Sequence, residues 1–149
     1  ILAGRKINDS MGKFIVENMV SEMAGQDISP IDAKVAVLGL TFKENCPDLR
    51  NTKITSIINN LKKNQCEIAL SDEWADPKEV ETKFGSSLTK LNNITNQDAI
   101  ILAVCHEQYK KLNKTDWKRM LKPGGVLVDV KSIYDKDTFT DDKIRHWRL

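Results

Sequence analysis

Apolar residues near the start of the chain recur at helical spacing. Between Arg5 and Ala24 they lie three and four positions apart, at Ile7, Met11, Phe14, Ile15, Met19 and Met23. This spacing predicts an amphipathic helix, and Gly25 is typical of a helix C-terminus. We therefore expect a long helix before the first strand, which either packs outside the sheet or belongs to a neighbouring domain.

Short apolar runs then alternate with helical patterns. The strand candidates are KVAVLGL (34–40), CEIAL (66–70), SLTKL (87–91), DAIILAVC (98–105), GVLVDVK (125–131) and IRHWRL (144–149). The helix candidates are 51–64 with Asn51 or Thr52 as its cap, Pro77 to Phe84, EQYKKL and TDWKRML. The alternation predicts an α/β fold: a Rossmann-like, doubly wound, mostly parallel sheet of about six strands, with helices on both faces and the long helix before it.

Composition narrows the class of protein. Of the 149 residues, 40% are hydrophobic and 30% charged, which is typical of one globular domain. The longest apolar runs are too short to cross a bilayer, and no secretion signal is visible. The net charge of +2 is spread along the chain without a basic stripe, which argues against nucleic-acid binding. We expect a cytoplasmic protein with neither a membrane nor a nucleic-acid partner.

The cysteines predict no chemistry of their own. Cys46, Cys66 and Cys105 are odd in number and far apart, which favours neither a disulfide framework nor a metal site. His106 follows Cys105, but adjacent strand residues point to opposite faces and are poorly placed to share a proton. Since no other catalytic constellation stands out, we predict no catalytic residue and no metal in this chain.

The loops after the strands are the candidate binding elements, because ligands of such sheets bind beyond the carboxyl ends of the strands. The loop after the first strand, TFKENC, lacks the glycines that let a backbone approach a pyrophosphate; only Gly39 is present. Phe42 can stack on a base and Lys43 can contact an anion. Lys131 lies at the carboxyl end of the fifth strand candidate and is a further anion contact. The alternative is that Phe42 covers the end of the sheet and Lys43 is solvated.

Three other polar residues are interpreted as structural. Asp48 is expected to favour the following helix through its dipole, and Arg50 to pair locally. Asp129 lies inside an apolar strand, where a carboxylate is rarely unpaired, and is expected to orient a loop or a cation.

Several stretches together resemble one known family. They are AGRKINDSMGKFIVENM, VAVLGLTFKENCPDLRNTK, SDEWADPKEV and VLVDVKSIYD. They are similar to the C-terminal third of the UDP-glucose/GDP-mannose dehydrogenase superfamily. The branch they most resemble is the 6-dehydrogenases of UDP-N-acetylhexosamines (GlcNAc, GalNAc or ManNAc) of capsule and O-antigen biosynthesis. The resemblance runs essentially end to end.

The resemblance implies a larger enzyme. Residues 1–24 would be the end of a central dimerisation helix, 25–33 a connector and 34–149 a UDP-sugar-binding domain. The family oxidises the C6 alcohol of the sugar to a carboxylate with NAD, which is bound by an N-terminal domain absent from this chain, and works as a homodimer. Its cysteine nucleophile lies in a GFGGxC-type motif that does not occur here, so the chain alone is expected to be inactive.

The resemblance also assigns substrate contacts. Phe42 would lie beside the nucleotide, and Lys43 would face the sugar or its phosphates. Lys131 stands where the family often carries arginine. Arg5 and Asn8 match a GRxIN stretch that would face the active site of the complete enzyme. Two alternatives stay open: an NAD-binding Rossmann domain, which the missing GxGxxG disfavours, and a non-catalytic flavodoxin-like interaction or ligand-binding module. Which hexosamine is oxidised is not predicted.

Overall fold

Five strands form one fully parallel sheet in the computed structural model, which describes residues 2–149 except the side chains of residues 2–6, 8 and 52. The strands are β1 Lys34–Leu38, β2 Glu67–Ser71, β3 Gln97–Leu102, β4 Leu121–Asp129 and β5 Ile144–Arg148. The helices are α1 Leu2–Ala24, α2 Thr52–Lys63, α3 Pro77–Phe84, α4 Glu107–Lys110 and α5 Lys114–Met120. The predicted α/β class is confirmed.

The predicted strand at 87–91 is wrong, so the sheet has five strands rather than about six. The segment makes one isolated bridge, between Leu88 and Leu70, and a 3₁₀ helix follows at Leu91–Asn93. Leu88 packs on the apolar cluster of one sheet face and Leu91 on the cluster of the other. The segment therefore wraps around the edge of the sheet beside β2 instead of extending it.

Each face of the sheet carries its own apolar cluster. Val35 and Val37 of β1 point to the face covered by α1, α2 and α3, whereas Ala36 and Leu38 point to the face covered by α4 and α5. Because strand side chains alternate between faces, a strand covered on both sides is apolar at nearly every position. This explains why the β1 and β3 runs are continuous.

The C-terminal half of α1 is an integral layer of the domain. Ile15, Met19 and Met23 are fully buried in the cluster against α2 and the sheet. Gly12 lets the two helices approach, since a Cβ there would lie 2.4 Å from the Ser56 hydroxyl oxygen. Ile7 remains 64% exposed. The helix thus packs on the sheet, while the proposed division at residues 24 and 33 stays a prediction.

The strand order is β2-β1-β3-β4-β5, a doubly wound order whose switch point lies between β1 and β3. Ligand crevices of such folds open there, but here the two strand ends press together. Gly39, directly after β1, has φ +89°, and a Cβ on it would lie 2.4 Å from the Val104 carbonyl oxygen. The glycine therefore serves close packing, and the groups left open at this edge are those of the loops above.

Candidate functional site

The predicted contact residues lie at the carboxyl edge of the sheet. Phe42 and Lys43 are exposed on the β1–α2 loop, and Lys131 is exposed two residues after the end of β4. With 58% of its surface exposed, Phe42 does not cover the end of the sheet as the structural alternative required. The side chains of Arg5 and Asn8 lie outside the described residues, so their predicted role stays a prediction.

Lys53 is a cation at this edge that sequence reasoning missed. It lies in the first turn of α2 and is half-buried. Burial lowers the pKa of Lys53 below its usual 10.5, the positive charge of Lys131 lowers it further, and Glu44 opposes the shift. The start of α2 and the loops carrying Glu44 and Lys131 therefore share one electrostatic neighbourhood. The N-terminus of a helix is positively polarised and favours anions, so a lysine in the first turn is unfavourable unless an anion binds there. That position of Lys53 was the sequence signal for an anion site.

The β1–α2 loop is held by polar bonds. The Thr41 hydroxyl donates to the Lys43 carbonyl at 3.1 Å, and the Phe42 N–H donates to the Asp48 carbonyl at 2.6 Å. Asn51 caps α2, accepting from the Lys53 N–H at 3.1 Å, and its amide donates to the Thr41 carbonyl at 3.0 Å. Residues 42–47 are exposed or half-exposed, so apolar burial contributes little to their order.

His106 and Asp72 form a buried pair beneath this loop. The His106 Nε2 lies 2.9 Å from the Asp72 Oδ2, and Asp72 also accepts backbone N–H bonds from Leu40 at 2.6 Å and Trp74 at 2.7 Å. Burial alone would raise the pKa of the Asp72 carboxyl, but these hydrogen bonds, led by that of His106, hold it below its ordinary value. An ionised Asp72 thus ties the ends of β1, β2 and β3 together.

The bonds of His106 assign its tautomer and exclude a nucleophile pair. The Asn45 N–H donates to Nδ1 at 2.9 Å, so Nδ1 is unprotonated and Nε2 carries the proton donated to Asp72. Both nitrogens are thereby occupied. Cys105 is buried, and burial raises the pKa of its thiol to about 11, so it stays protonated at neutral pH.

A second Asp–His pair supports the loop of Lys131. Asp129 accepts backbone N–H bonds from Ile133 and Tyr134, both at 3.0 Å, and its Oδ2 lies 3.0 Å from the His146 Nε2. The prediction that Asp129 orients a loop is confirmed. Within the described part of the chain, the buried Nδ1 of His146 has no hydrogen-bond partner. The two pairs therefore differ at Nδ1, where only His106 holds another loop.

A cavity of about 700 Å³ opens on another side of the β1–α2 loop. Its cationic lining residues are already bonded: Arg50 pairs with Asp48 at 2.8 Å, as predicted, and Lys83 donates to the Leu49 carbonyl at 2.7 Å. The hydrogen bonds from Arg50 hold the pKa of Asp48 at about 2. Phe42, Lys43 and Lys131 do not line this cavity. Its charges are less available to a ligand than Lys53 and Lys131.

The described residues form neither a metal site nor a membrane-spanning helix. Among residues 2–149, leaving aside the undescribed side chains, no group of three or more His, Cys, Asp or Glu could hold a metal ion. In the same part of the chain, no helix is both long and apolar enough to cross a bilayer.

Comparison with known proteins decides the family. Residues 36–136 match the model of the UDP-glucose/GDP-mannose dehydrogenase family, UDP binding domain. The chain belongs to this family. The resemblance noted in the sequence is confirmed, and the matched region contains the loops that carry Phe42, Lys43 and Lys131.

Curated relatives in this family are longer proteins. The chain is 42% identical to Protein CapL of Staphylococcus aureus over 149 residues, which are 100% of this chain and 35% of CapL. It is 38% identical to the UDP-N-acetyl-D-glucosamine 6-dehydrogenase of Salmonella typhi over 133 residues, 89% of this chain and 31% of that enzyme. The chain thus spans about a third of the length of these relatives.

Solved structures support the fold. The crystal structure of the NDP-N-acetyl-D-galactosaminuronic acid dehydrogenase of Methanosarcina mazei Go1 superposes with a TM-score of 0.84, covering 99% of this chain and 31% of that one. At 21% sequence identity the likeness shows the fold alone.

Proposed function

We propose that the carboxyl edge of this sheet binds the nucleotide of a UDP-sugar. Lys53 and Lys131 would face the diphosphate, Lys43 the phosphates or the sugar, and Phe42 the uracil ring. The site would belong to an NAD-dependent UDP-N-acetylhexosamine 6-dehydrogenase acting in the cytoplasm as a homodimer. In that enzyme this domain would position the substrate, and other parts of the enzyme would perform the oxidation.

The observation that carries the proposal is a half-buried lysine, Lys53, in the first turn of α2 at the carboxyl edge of the sheet, where Lys131 also contributes positive charge. Burial lowers the pKa of Lys53, the positive charge of Lys131 lowers it further, and Glu44 opposes the shift. A half-buried lysine whose neighbour is another positive charge is stabilised by an anion that lies near both. The positive end of the α2 dipole points to the same place. A diphosphate supplies two adjacent anionic groups, which matches two lysines beside a helix N-terminus.

Phe42 supports the assignment of the base. The ring of Phe42 is 58% exposed at the edge of the sheet, so a ligand that covers it removes apolar surface from water, which favours binding. Stacking of a base on an aromatic ring contributes about 1–3 kcal/mol. Phe42 and Lys43 are adjacent and both exposed on the β1–α2 loop, which supports assigning the base and the phosphates of one ligand to them.

NAD does not fit this sheet end. A dinucleotide fold needs backbone N–H groups bared by glycines at the strand–helix turn. Here Val104 packs against Gly39, the one glycine of the turn, and leaves no room for a pyrophosphate. Bulky side chains follow at Phe42 and Lys43. The proposed cofactor would therefore be held by another part of the enzyme, and no chemical step is assigned to this chain.

Isothermal titration calorimetry with UDP, UMP and uridine tests the proposal. UDP is expected to bind more tightly than UMP, and uridine to bind weakly, because two phosphates engage the lysines. Lys53→Met should weaken UDP binding about tenfold, equivalent to roughly 1.4 kcal/mol. Lys131→Met should likewise weaken the binding of UDP more than the binding of uridine.

Lys63 provides the matched control. It is exposed at the opposite end of the same helix, so Lys63→Met removes one positive charge without touching the site. UDP affinity is expected to be unchanged in this variant. If Lys53→Met and Lys63→Met lowered UDP affinity equally, the effect would be one of net charge and the proposal would be contradicted. Equal affinities for uridine and UDP would also contradict it.

A further inference from the structure

The imidazole of His106 bonds to both ends of a five-residue segment that carries two proposed contacts. At one end, the Thr41 hydroxyl oxygen lies 3.2 Å from Nε2. At the other, the Asn45 N–H donates to Nδ1 at 2.9 Å. Phe42 and Lys43 lie between these two attachment points.

The donors and acceptors that hold residues 41–45 can be assigned. The Thr41 hydroxyl gives its proton to the Lys43 carbonyl, so its oxygen can accept from Nε2–H, which is shared with Asp72. Asn45 has φ +54°, an uncommon conformation for a residue with a side chain. Its side-chain oxygen accepts from the Glu107 N–H at 3.1 Å. The segment is thus held in one shape by bonds to residues that follow β3.

The ring itself is held rigidly. His106 is 1% exposed, and its ring lies 5.8 Å from that of Tyr109 and 6.1 Å from that of Trp74. The Tyr109 hydroxyl donates to the Ser71 carbonyl at 3.0 Å. An ordinary buried histidine stabilises a core, but this one bonds to a segment whose residues 42–45 are exposed. Its bonds therefore order a surface that has little apolar burial of its own.

We infer that His106 is the positioning residue of the nucleotide site, fixing Phe42 and Lys43 for the ligand through its bonds to Thr41 and Asn45. The inference rests on the proposed function and assigns no contact between His106 and the ligand. A loop already held in its binding shape loses less conformational entropy when the ligand arrives. Releasing the loop should weaken binding although Phe42 and Lys43 are intact.

Two variants distinguish the roles of the two ring nitrogens of His106. His106→Gln keeps an N–H near the Nε2 position for Asp72 but offers no acceptor to Asn45. His106→Asn keeps an acceptor near the Nδ1 position but removes the only side-chain donor to the buried Asp72 among the described residues, leaving its backbone donors. Positioning predicts that His106→Gln raises the Kd for UDP about tenfold, the loss expected for one hydrogen bond to the loop. His106→Asn should lower the melting temperature more and the affinity less.

Ile94→Val is the control for stability. Ile94 is buried before the amino end of β3, away from the loops, so its truncation lowers stability without touching the site. A purely structural role of His106 predicts that UDP affinity follows melting temperature across all three variants. That result, or wild-type affinity in His106→Gln, would overturn the inference.

Hydrogen exchange supplies a readout that needs no ligand. The Asn45 amide should exchange faster in His106→Gln than in the wild type and in His106→Asn. Unchanged exchange would also overturn the inference. A wild-type protein without UDP binding would overturn the proposed function together with this role, whereas binding that depends on Lys43 but not on His106 would overturn this role alone.

Discussion

Gly39 lies so close to Val104 that no side chain fits between the ends of β1 and β3. A Cβ on Gly39 would be 2.4 Å from the Val104 carbonyl oxygen and 2.6 Å from the Val104 Cβ. In many doubly wound sheets these two strand ends flank the ligand crevice. Here they are packed together, and the loops of Lys43 and Lys131 lie above a closed surface.

Gly39→Ala should therefore be among the most damaging single-methyl substitutions in the chain. The new methyl group meets backbone atoms, which cannot move aside cheaply, and the φ of +89° is strained for alanine. We expect a loss of at least about 3 kcal/mol in the free energy of unfolding, measured by urea denaturation.

Gly85→Ala is the control for backbone strain alone. Gly85 also has positive φ, +71°, but a Cβ there meets nothing within 4 Å. Its expected cost is about 1–2 kcal/mol. Equal costs at the two glycines would show that the contact with Val104 is unimportant.

Binding of UDP should depend on pH through Lys53. Burial and Lys131 lower its pKa in the free protein, so it loses its charge at a lower pH than an ordinary lysine. A bound diphosphate favours the charged form and raises that pKa again. UDP affinity should then fall as the pH rises towards 10.5, and binding at alkaline pH below 10.5 should take up protons.

Calorimetry in two buffers of different ionisation enthalpy measures this proton uptake. Lys53→Met should abolish the alkaline part of the uptake, whereas Lys63→Met should preserve it. Uptake that persists in Lys53→Met would assign the proton to another group.

Acid should destabilise the fold partly through Asp72. Its folded-state pKa lies below 3.8, so its contribution to stability is complete above the unfolded-state value and is lost as the pH falls through the folded-state value. Wild type and Asp72→Asn should differ by a constant free energy of unfolding above about pH 5, and the difference should shrink below about pH 4. Chemical denaturation across this range measures it; a difference that does not vary with pH would mean that the charge of Asp72 is unimportant.

The two histidines should respond differently to glutamine. His106→Gln removes an acceptor used by the Asn45 N–H, whereas the Nδ1 lost in His146→Gln has no partner among the described residues. Both rings have aromatic neighbours, so the loss of ring packing is similar. His106→Gln should cost about 1 kcal/mol more than His146→Gln in thermal unfolding. The reverse ranking would indicate that Nδ1 of His146 binds something essential, such as a buried water.

The fold was predictable because its signals are local. The apolar runs of β1 and β3, the cap at Asn51 and the proline that begins α3 each determine a segment through its own residues. The segment 87–91 was mispredicted because its two leucines pack on opposite sheet faces around an edge, which only the tertiary structure determines.

The site was only partly predictable for the same reason. Phe42 and Lys43 were visible as bulky residues where glycines were expected. Lys53 gains its importance from Lys131, which is far away in sequence, and His106 from Asn45 and Asp72. Such pairs depend on strand order, which a single sequence does not display.

Because the ends of β1 and β3 are packed together, the residues that maintain the fold at this edge differ from the loop residues proposed to contact the ligand. A dinucleotide fold reads its ligand with bare main chain, so a new ligand requires a new loop geometry. In this domain the proposed contact groups are side chains on loops above the packed strand ends. Under the proposed function, replacing one of these side chains would change which anion or ring is preferred while the architecture beneath stays intact.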